Sequence, residues 1–268
     1  MTAMARMTTN APVLLEEHDR GVLRLTLNRP DARNALSAAL MSALLEALAR
    51  AAEDPQARVV VIAGAGPAFC AGHDLREMRA DQRRETYDRL FAQCSELMLA
   101  IVRLPKPVIA EVHGVATAAG CQLVATCDLA VAAAQDARFA TPGVNIGLFC
   151  STPMVALTRA VGRKAAMEML LTGKLIDAET ARAIGLVNRV VPREGLRDAA
   201  ESLAREIAGK SALTVAIGKE AFYRQAELDL AAAYRYAAEV MTTNMLAHDA
   251  GEGIDAFLAK RDPVWHDR

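Results

Sequence analysis

Cysteine is scarce in this chain, with five in 268 residues, at positions 70, 94, 121, 127 and 150. The count is odd and no two of them form a C-x-x-C pair, which argues against a disulfide framework or a zinc site and favours a reducing, intracellular setting. An excess of one charge is also lacking: 31 Lys and Arg face 32 Asp and Glu, for a net charge of -1. With no polybasic block or acidic tail, neither nucleic acid nor an anionic membrane is expected as the main partner. Long apolar runs are absent from the N-terminal MTAMARMTTNAPVLLEEHDRG, which has no segment of signal-peptide or membrane-spanning length. A cytoplasmic location is therefore expected, although the uncharged lead with Arg6 leaves organelle targeting open.

Several catalytic signatures are missing as well. There is no G-x-S-x-G, no Walker A loop and no H-E-x-x-H. GAGPAF at 64 to 69 begins like a dinucleotide fingerprint, but Phe69 stands where the third glycine belongs, so a plain turn after a strand is the better reading. His18, His113, His248 and His266 lie far apart without ligand spacing, and no metal site is expected.

What is present is an ordinary globular composition, 53% hydrophobic and 24% charged, in a chain long enough for a substantial core. VLLEEHDRGVLRLTLNRP reads as two strands about a turn at Asp19 to Gly21. Ser37 opens a helix in which Leu40, Met41, Leu44 and Leu48 share a face. RVVVIAGAG, PVIAEVHG and DLAVAA are continuous apolar runs suited to strands buried on both faces, and about 82 to 103 is helical. The alternation predicts an α/β fold with parallel strands. Beyond Ser151 strand signals thin to LVNRVV at 186 to 191. We divide the chain into a flexible N-terminus (1–11), an α/β core (12–200) and a helical C-terminal region (201–268) that is not an independent domain.

Two loops combine a preceding buried strand, small residues at the turn and a following helix: FCAGHDLREM at 69 to 78 and HGVATAAGCQLVATCD at 113 to 128. Small side chains let backbone N-H groups approach a ligand, and the first turn of a helix leaves donors unpaired. Two such donors converging on one oxygen form an oxyanion hole. Tight strand-to-helix packing explains either loop equally well when it is taken alone.

NRPDARNALS, VVVIAGAGPAFCAGHDL, PVIAEVHGVATAAGCQLVATCDLAVA and AVGRKAAMEMLLTGKLIDAETARAIGLVNRVVP occur in that order. Together they resemble the crotonase superfamily of enoyl-CoA hydratases and isomerases, from about residue 12 to the C-terminal FLAKRDPVW. Within it CAGHDL, TAAGCQL and ATPGVNIGLFCSTP are most similar to the enoyl-CoA hydratase domain-containing protein 3 group. The resemblance implies a crotonase-like spiral of ββα repeats, with C-terminal helices that assemble homotrimers or hexamers. It also implies a coenzyme A thioester as substrate or ligand, with no permanently bound cofactor.

By the same resemblance the oxyanion donors are the backbone N-H groups of His73 and Ala119, flanked by Ala118 and Gly120. The path of the CoA moiety falls to Arg29, Arg33, Ala35 and Leu36, and to Ala71, Gly72, Asp74 and Leu75. Pro142 and Asn145 border the substrate, and Phe257 and Lys260 reach the nucleotide end, from a neighbouring subunit if not from their own. Residues around 78 to 100 and 143 to 152 shape the acyl pocket.

The departure from the family lies in its acid/base pair. Hydratases supply two glutamates, and the matching positions here are Gln122 and Gly143. A Gln amide does not exchange a proton near neutral pH and Gly offers nothing, while each positioned acid or base is worth about 10²–10⁴ in rate. Ordinary hydratase activity is therefore expected to be weak or absent. Thr117, Thr141, Asn145, Cys150 and Ser151 are the nearby polar substitutes, and space vacated at Gly143 is expected to admit a water or anion as base. Restoring Glu at both 122 and 143 is expected to create hydration. Two functions stay open: an acyl-CoA enzyme with altered chemistry (isomerase, thioester hydrolase or decarboxylase among the family's reactions), or a non-catalytic acyl-CoA binder.

Overall fold

A computed structural model describes residues 11–268. The flexible N-terminus expected for 1–11 lies outside the described residues except for its last position.

The chain opens with β1 (Leu14–Asp19) and β2 (Val22–Leu27), antiparallel about a two-residue turn. Arg20 and Gly21 both have positive φ there, the backbone twist that suits a tight hairpin. Helix α1 (Ala38–Glu53) starts at Ser37, whose hydroxyl accepts the Leu40 N-H, and buries Leu40, Met41, Leu44 and Leu48 on one face, as its periodicity predicts.

Three ββα repeats follow. The first is β3 (Val59–Gly64), β4 (Ala68–Cys70), α2 (Leu75–Ala80) and α3 (Arg84–Arg103). The second is β5 (Val108–Val112), β6 (Val115–Thr117) and α4 (Ala119–Thr126), and the third β7 (Leu129–Ala133), β8 (Arg138–Ala140) and α5 (Ser151–Ala160). In each, the first strand enters a six-stranded sheet and the second a four-stranded one. Helix α6 (Arg163–Thr172), β9 (Ile176–Asp177), α7 (Ala178–Ala183) and β10 (Arg189–Val191) complete the sheets, whose orders are β1-β2-β3-β5-β7-β10 and β4-β6-β8-β9. The predicted last strand over 186 to 191 is thus shorter, and β9 is an addition that the sequence pattern did not reveal.

This winding positions the site. Because β4 and β6 pair in parallel, Ala68 beside Val115 and Cys70 beside Ala116, the loops leaving their C-terminal ends emerge side by side. The outer face of the large sheet is covered by α8 (Leu196–Ala208), which packs Leu196, Ala200, Leu203 and Ala204 against Val22, Val59, Val61, Ile109 and Val131. A division at residue 200 falls inside this helix.

Helices α9 (Ala212–Gln225), α10 (Leu230–Met245) and α11 (His248–Ala259) follow. One ion pair holds α9 to the core: Lys219 Nζ lies 2.6 Å from Asp128 Oδ2 and also donates to the Ile101 and Lys106 carbonyls, while Tyr223 donates to Asp128 Oδ1. Among the described residues neither α9 nor α10 buries a residue. Among the described residues no helix is long and apolar enough to cross a membrane.

Candidate active site

Two loops converge where the strand ends predict. After β4 the chain turns at Gly72 and His73 bridges Leu36: the Leu36 N-H donates to the Gly72 carbonyl and the Asp74 N-H to that of Leu36. In such a parallel bridge the His73 N-H points away from Leu36, and among the described residues it has no acceptor. After β6, Ala118 turns with φ 50° and ψ -118°, its N-H donating to the Ala140 carbonyl, and Ala119 begins α4 with its own N-H unpaired. That backbone conformation is ordinarily glycine's, and holding alanine in it costs about 1–3 kcal/mol.

The loops are clamped together. A Cβ at Gly72, where φ is +95°, would lie 2.9 Å from the Ala118 Cβ and 3.3 Å from the Ala119 nitrogen. At Gly120 a Cβ would run into the Cys70 carbonyl. Thr117 Oγ1 donates to the Ala71 carbonyl across the gap, so this candidate substitute for the lost acids is committed to joining the loops.

The residues around 29 to 36 brace this pair. Arg29 donates to the Ala35 carbonyl at 2.6 Å and to Asp74 Oδ2 at 2.9 Å. Asp74 in turn accepts from the N-H groups of Arg76 and Glu77, capping α2. Burial pushes its carboxyl up, but Arg29 and the two N-H groups outweigh this and hold it below the usual range. Arg33 is exposed, its carbonyl accepting the Ala71 N-H, while Ala35 and Leu36 are buried and Leu75 is exposed at the start of α2. Asn34, a residue the sequence reading passed over, is fully buried with φ 54°. Its amide donates to the Ala65 and Ala68 carbonyls and accepts the Arg29 N-H, tying three segments together. The one local signal was Asn within a turn, where it tolerates left-handed backbone.

Gln122 lies buried on α4, its Oε1 4.0 Å from the Cys94 thiol of α3. The expectation of open space at Gly143 is corrected. A Cβ there would lie 2.7 Å from the Leu148 carbonyl and 2.9 Å from Cys150 Sγ, because Gly143 and Leu148 close a tight turn through the Leu148 N-H. The chain itself fills the place where a water or anion was expected. Pro142 opens that 3-10 turn and Asn145 lies against Gly173 at the end of α6. Burial raises the Cys150 thiol against a favourable Gly143 N-H, and raises Cys121 to about 12, so neither is an ionised base near neutrality. Ser151 donates to the Phe149 carbonyl, and Thr141 Oγ1 is buried without a partner. Phe257 and Lys260 sit at the end of α11, where Phe257 is exposed among the described residues.

The His73 ring turns to α3, edge-on to Phe91 at 5.7 Å. Both its nitrogens are buried without a well-formed hydrogen bond among the described residues, and the Leu36 backbone is the polar group beside the ring. Burial lowers its pKa below 6.5, and the Leu36 backbone opposes this only in part.

The family model for enoyl-CoA hydratase/isomerase matches residues 17–268. The chain belongs to this family. It is 47% identical to the mitochondrial enoyl-CoA hydratase domain-containing protein 3 of Xenopus laevis, over 96% of this chain and 87% of the relative. Among solved structures, an enoyl-CoA hydratase of Mycobacterium smegmatis superposes with a TM-score of 0.93 at 58% identity, over 96% of this chain and all of the other. The human enoyl-CoA hydratase domain-containing protein 3 superposes at 0.91 with 45% identity, over 94% of this chain and all of the other. The crotonase-like α/β fold and the likeness to the domain-containing protein 3 group are thus borne out. The expected cytoplasmic location is not: the frog relative and its human counterpart are both named as mitochondrial, which points to that compartment instead. The cytoplasmic reading rested on a lead without a recognisable apolar segment.

Proposed function

We propose that this family member binds an acyl-CoA thioester, polarises its carbonyl between the N-H groups of His73 and Ala119, and works through the resulting enolate in fatty-acyl-CoA metabolism. The observation that carries this reading is the pair of unpaired amides on loops held together through Gly72, one of them entered through strained backbone at Ala118. Strain of that kind is retained where a preorganised geometry is useful. A well-placed donor lowers the barrier by about 3–4 kcal/mol. Water addition in the hydratase manner lies outside the proposal, because neither Gln122 nor Gly143 can transfer a proton. The ligand is CoA-linked substrate rather than a resident cofactor, and no metal is assigned. The working form is proposed to be a homotrimer or a pair of trimers.

A second reading, a non-catalytic acyl-CoA binder, is favoured by the loss of both carboxylates. One experiment separates them. CoA thioesters of varied length and unsaturation are incubated with the protein in deuterated water, following enone absorbance, deuterium at the α-carbon and free thiol. Deuterium entry without crotonyl-CoA hydration is the expected result; micromolar binding with silence in all three readouts would favour the binder.

A further inference from the structure

Apolar burial contributes little to fastening α11. Among the described residues this helix buries only Asp249 and Ala256, while Ile254, Phe257 and Leu258 are exposed. What ties it to the rest of the chain is the stretch 261–268, which has no helix or strand of its own. We infer that this stretch is a clasp, pinned by the buried Asp249 carboxylate, that holds α11 and positions its outer end for the ligand. The inference rests on the thioester reading, with Phe257 and Lys260 at the nucleotide end.

The pin sits in the first turn of α11, where Asp249 is 1% exposed. A carboxylate buried so deeply is costly unless its oxygens are hydrogen-bonded. Its donors come from the clasp: the His266 N-H reaches Oδ1 and the Asp267 N-H reaches Oδ2, each at 2.8 Å. The Asp249 N-H returns a bond to the Arg268 main-chain oxygen at 3.0 Å. Burial pushes the carboxyl up, but the Ser211 hydroxyl at the start of α9 and the two N-H groups outweigh this and hold it below the usual range. Opening the clasp would strip both N-H donors from a buried charge, so pin and clasp hold or fail together.

Further fastenings carry the clasp from α11 to the core. Glu252, one turn along the helix, takes both Arg261 guanidinium nitrogens at 2.6 and 2.8 Å and the Val264 N-H at 2.7 Å. Trp265 lies over Gly253, where a Cβ would come within 3.1 Å of the ring, and its indole N-H donates to the Gly209 carbonyl just past α8 at 3.0 Å. Asp267 accepts the Ala212 N-H at 2.6 Å and two nitrogens of Arg58, just before β3, at 2.7 and 3.1 Å. One side of the clasp thus grips α11, and the other grips the α8 to α9 junction and the entry to β3.

The outer end of α11 inherits this placement. Lys260 closes the helix in left-handed backbone, immediately before Arg261, whose N-H donates to the Ala256 carbonyl. Asp249, Glu252 and Asp267 act on the ligand only through where they hold Phe257 and Lys260, which makes them positioning residues.

Trp265 is the only tryptophan in the chain, so its fluorescence reads the clasp directly. Asp249→Asn keeps the shape of the pin and removes its charge. Its Trp265 emission is expected to shift to the red with stronger acrylamide quenching, and trypsin to cut after Arg261, with far-ultraviolet dichroism retained. If the held state falls to about a tenth, Kd for butyryl-CoA weakens about tenfold, while Kd for butyryl-pantetheine, which lacks the nucleotide, stays at the wild-type value. Asp267→Asn, which leaves the buried pin intact and cuts the hook to Arg58, is expected to give the same changes to a smaller degree. Trp265 as shielded in both variants as in wild type overturns the clasp. An opened clasp with both Kd values unchanged, or with both weakened equally, overturns the positioning role. Wild type that binds neither ligand overturns the thioester reading and the positioning role with it, and the tryptophan readout then still judges the clasp.

Discussion

Positions 122 and 143 lose their acids in different ways, and they differ in what restoring a carboxylate would do. At 122 the amide nearly matches glutamate in shape, so Gln122→Glu fits the space and tests whether a single carboxylate restores proton transfer to water. At 143 the Leu148 carbonyl and Cys150 Sγ occupy the region a side chain would need. Gly143→Glu therefore forces the 143–150 turn apart, at about 1–3 kcal/mol for overpacking. We expect Gln122→Glu to melt near wild type and to show measurable crotonyl-CoA hydration. Gly143→Glu is expected to lower the denaturant midpoint, and the double variant to hydrate no faster than Gln122→Glu. A wild-type midpoint for Gly143→Glu would mean that the turn opens freely. The packing of the His73 ring against Phe91 was not legible, because no local pattern states where a side chain five residues from the start of β4 will turn.

At the scale of elements, the site is the meeting of two strand-to-helix loops that a shared four-stranded sheet delivers in register. Gly72 is where they touch. Gly72→Ala would bring a methyl within 2.9 Å of the Ala118 Cβ and 3.0 Å of the Thr117 carbonyl, at a φ of +95° that disfavours any side chain. The loops must separate, carrying the His73 and Ala119 amides apart. The expected outcome is a loss of about 10²–10³ in α-deuterium exchange, the scale of one oxyanion donor, with the circular dichroism of the core unchanged. Retention of full exchange would show that the two amides act independently of this contact. Individual elements were largely legible: Ser37 at the start of α1, β3 buried from Val59 to Ala63, the buried β5, and α3 ending at Arg103 all follow from local residue patterns. Strands of two or three residues such as β9 carry too little pattern to read, since they exist only because a neighbour pairs with them.

Across the whole molecule, the C-terminal helices present an exposed apolar surface. Leu230, Tyr234, Met241 and Leu246 of α10 and its end are exposed, Leu246 by 84%, and Phe257 and Leu258 follow on α11. Apolar surface of this extent favours burial against another copy. Sedimentation is expected to give a trimer or hexamer, and Leu246→Asp together with Tyr234→Glu to shift it toward monomer while preserving far-ultraviolet dichroism. A wild-type monomer at micromolar concentration would remove the proposed assembly. Phe257 and Lys260 lie at the exposed end of this same surface.

The sequence by itself determined the alternation of strands and helices, the two loops rich in small residues, and the absence of both carboxylates, since each is a property of a residue or a short period along the chain. Only the tertiary structure decided that a side chain at Gly143 would meet the Leu148 carbonyl and Cys150, that Asn34 ties three segments together, and that the His73 ring turns to Phe91. Those outcomes depend on atoms brought together from positions distant in sequence, and packing and hydrogen-bond satisfaction are settled only when the segments meet.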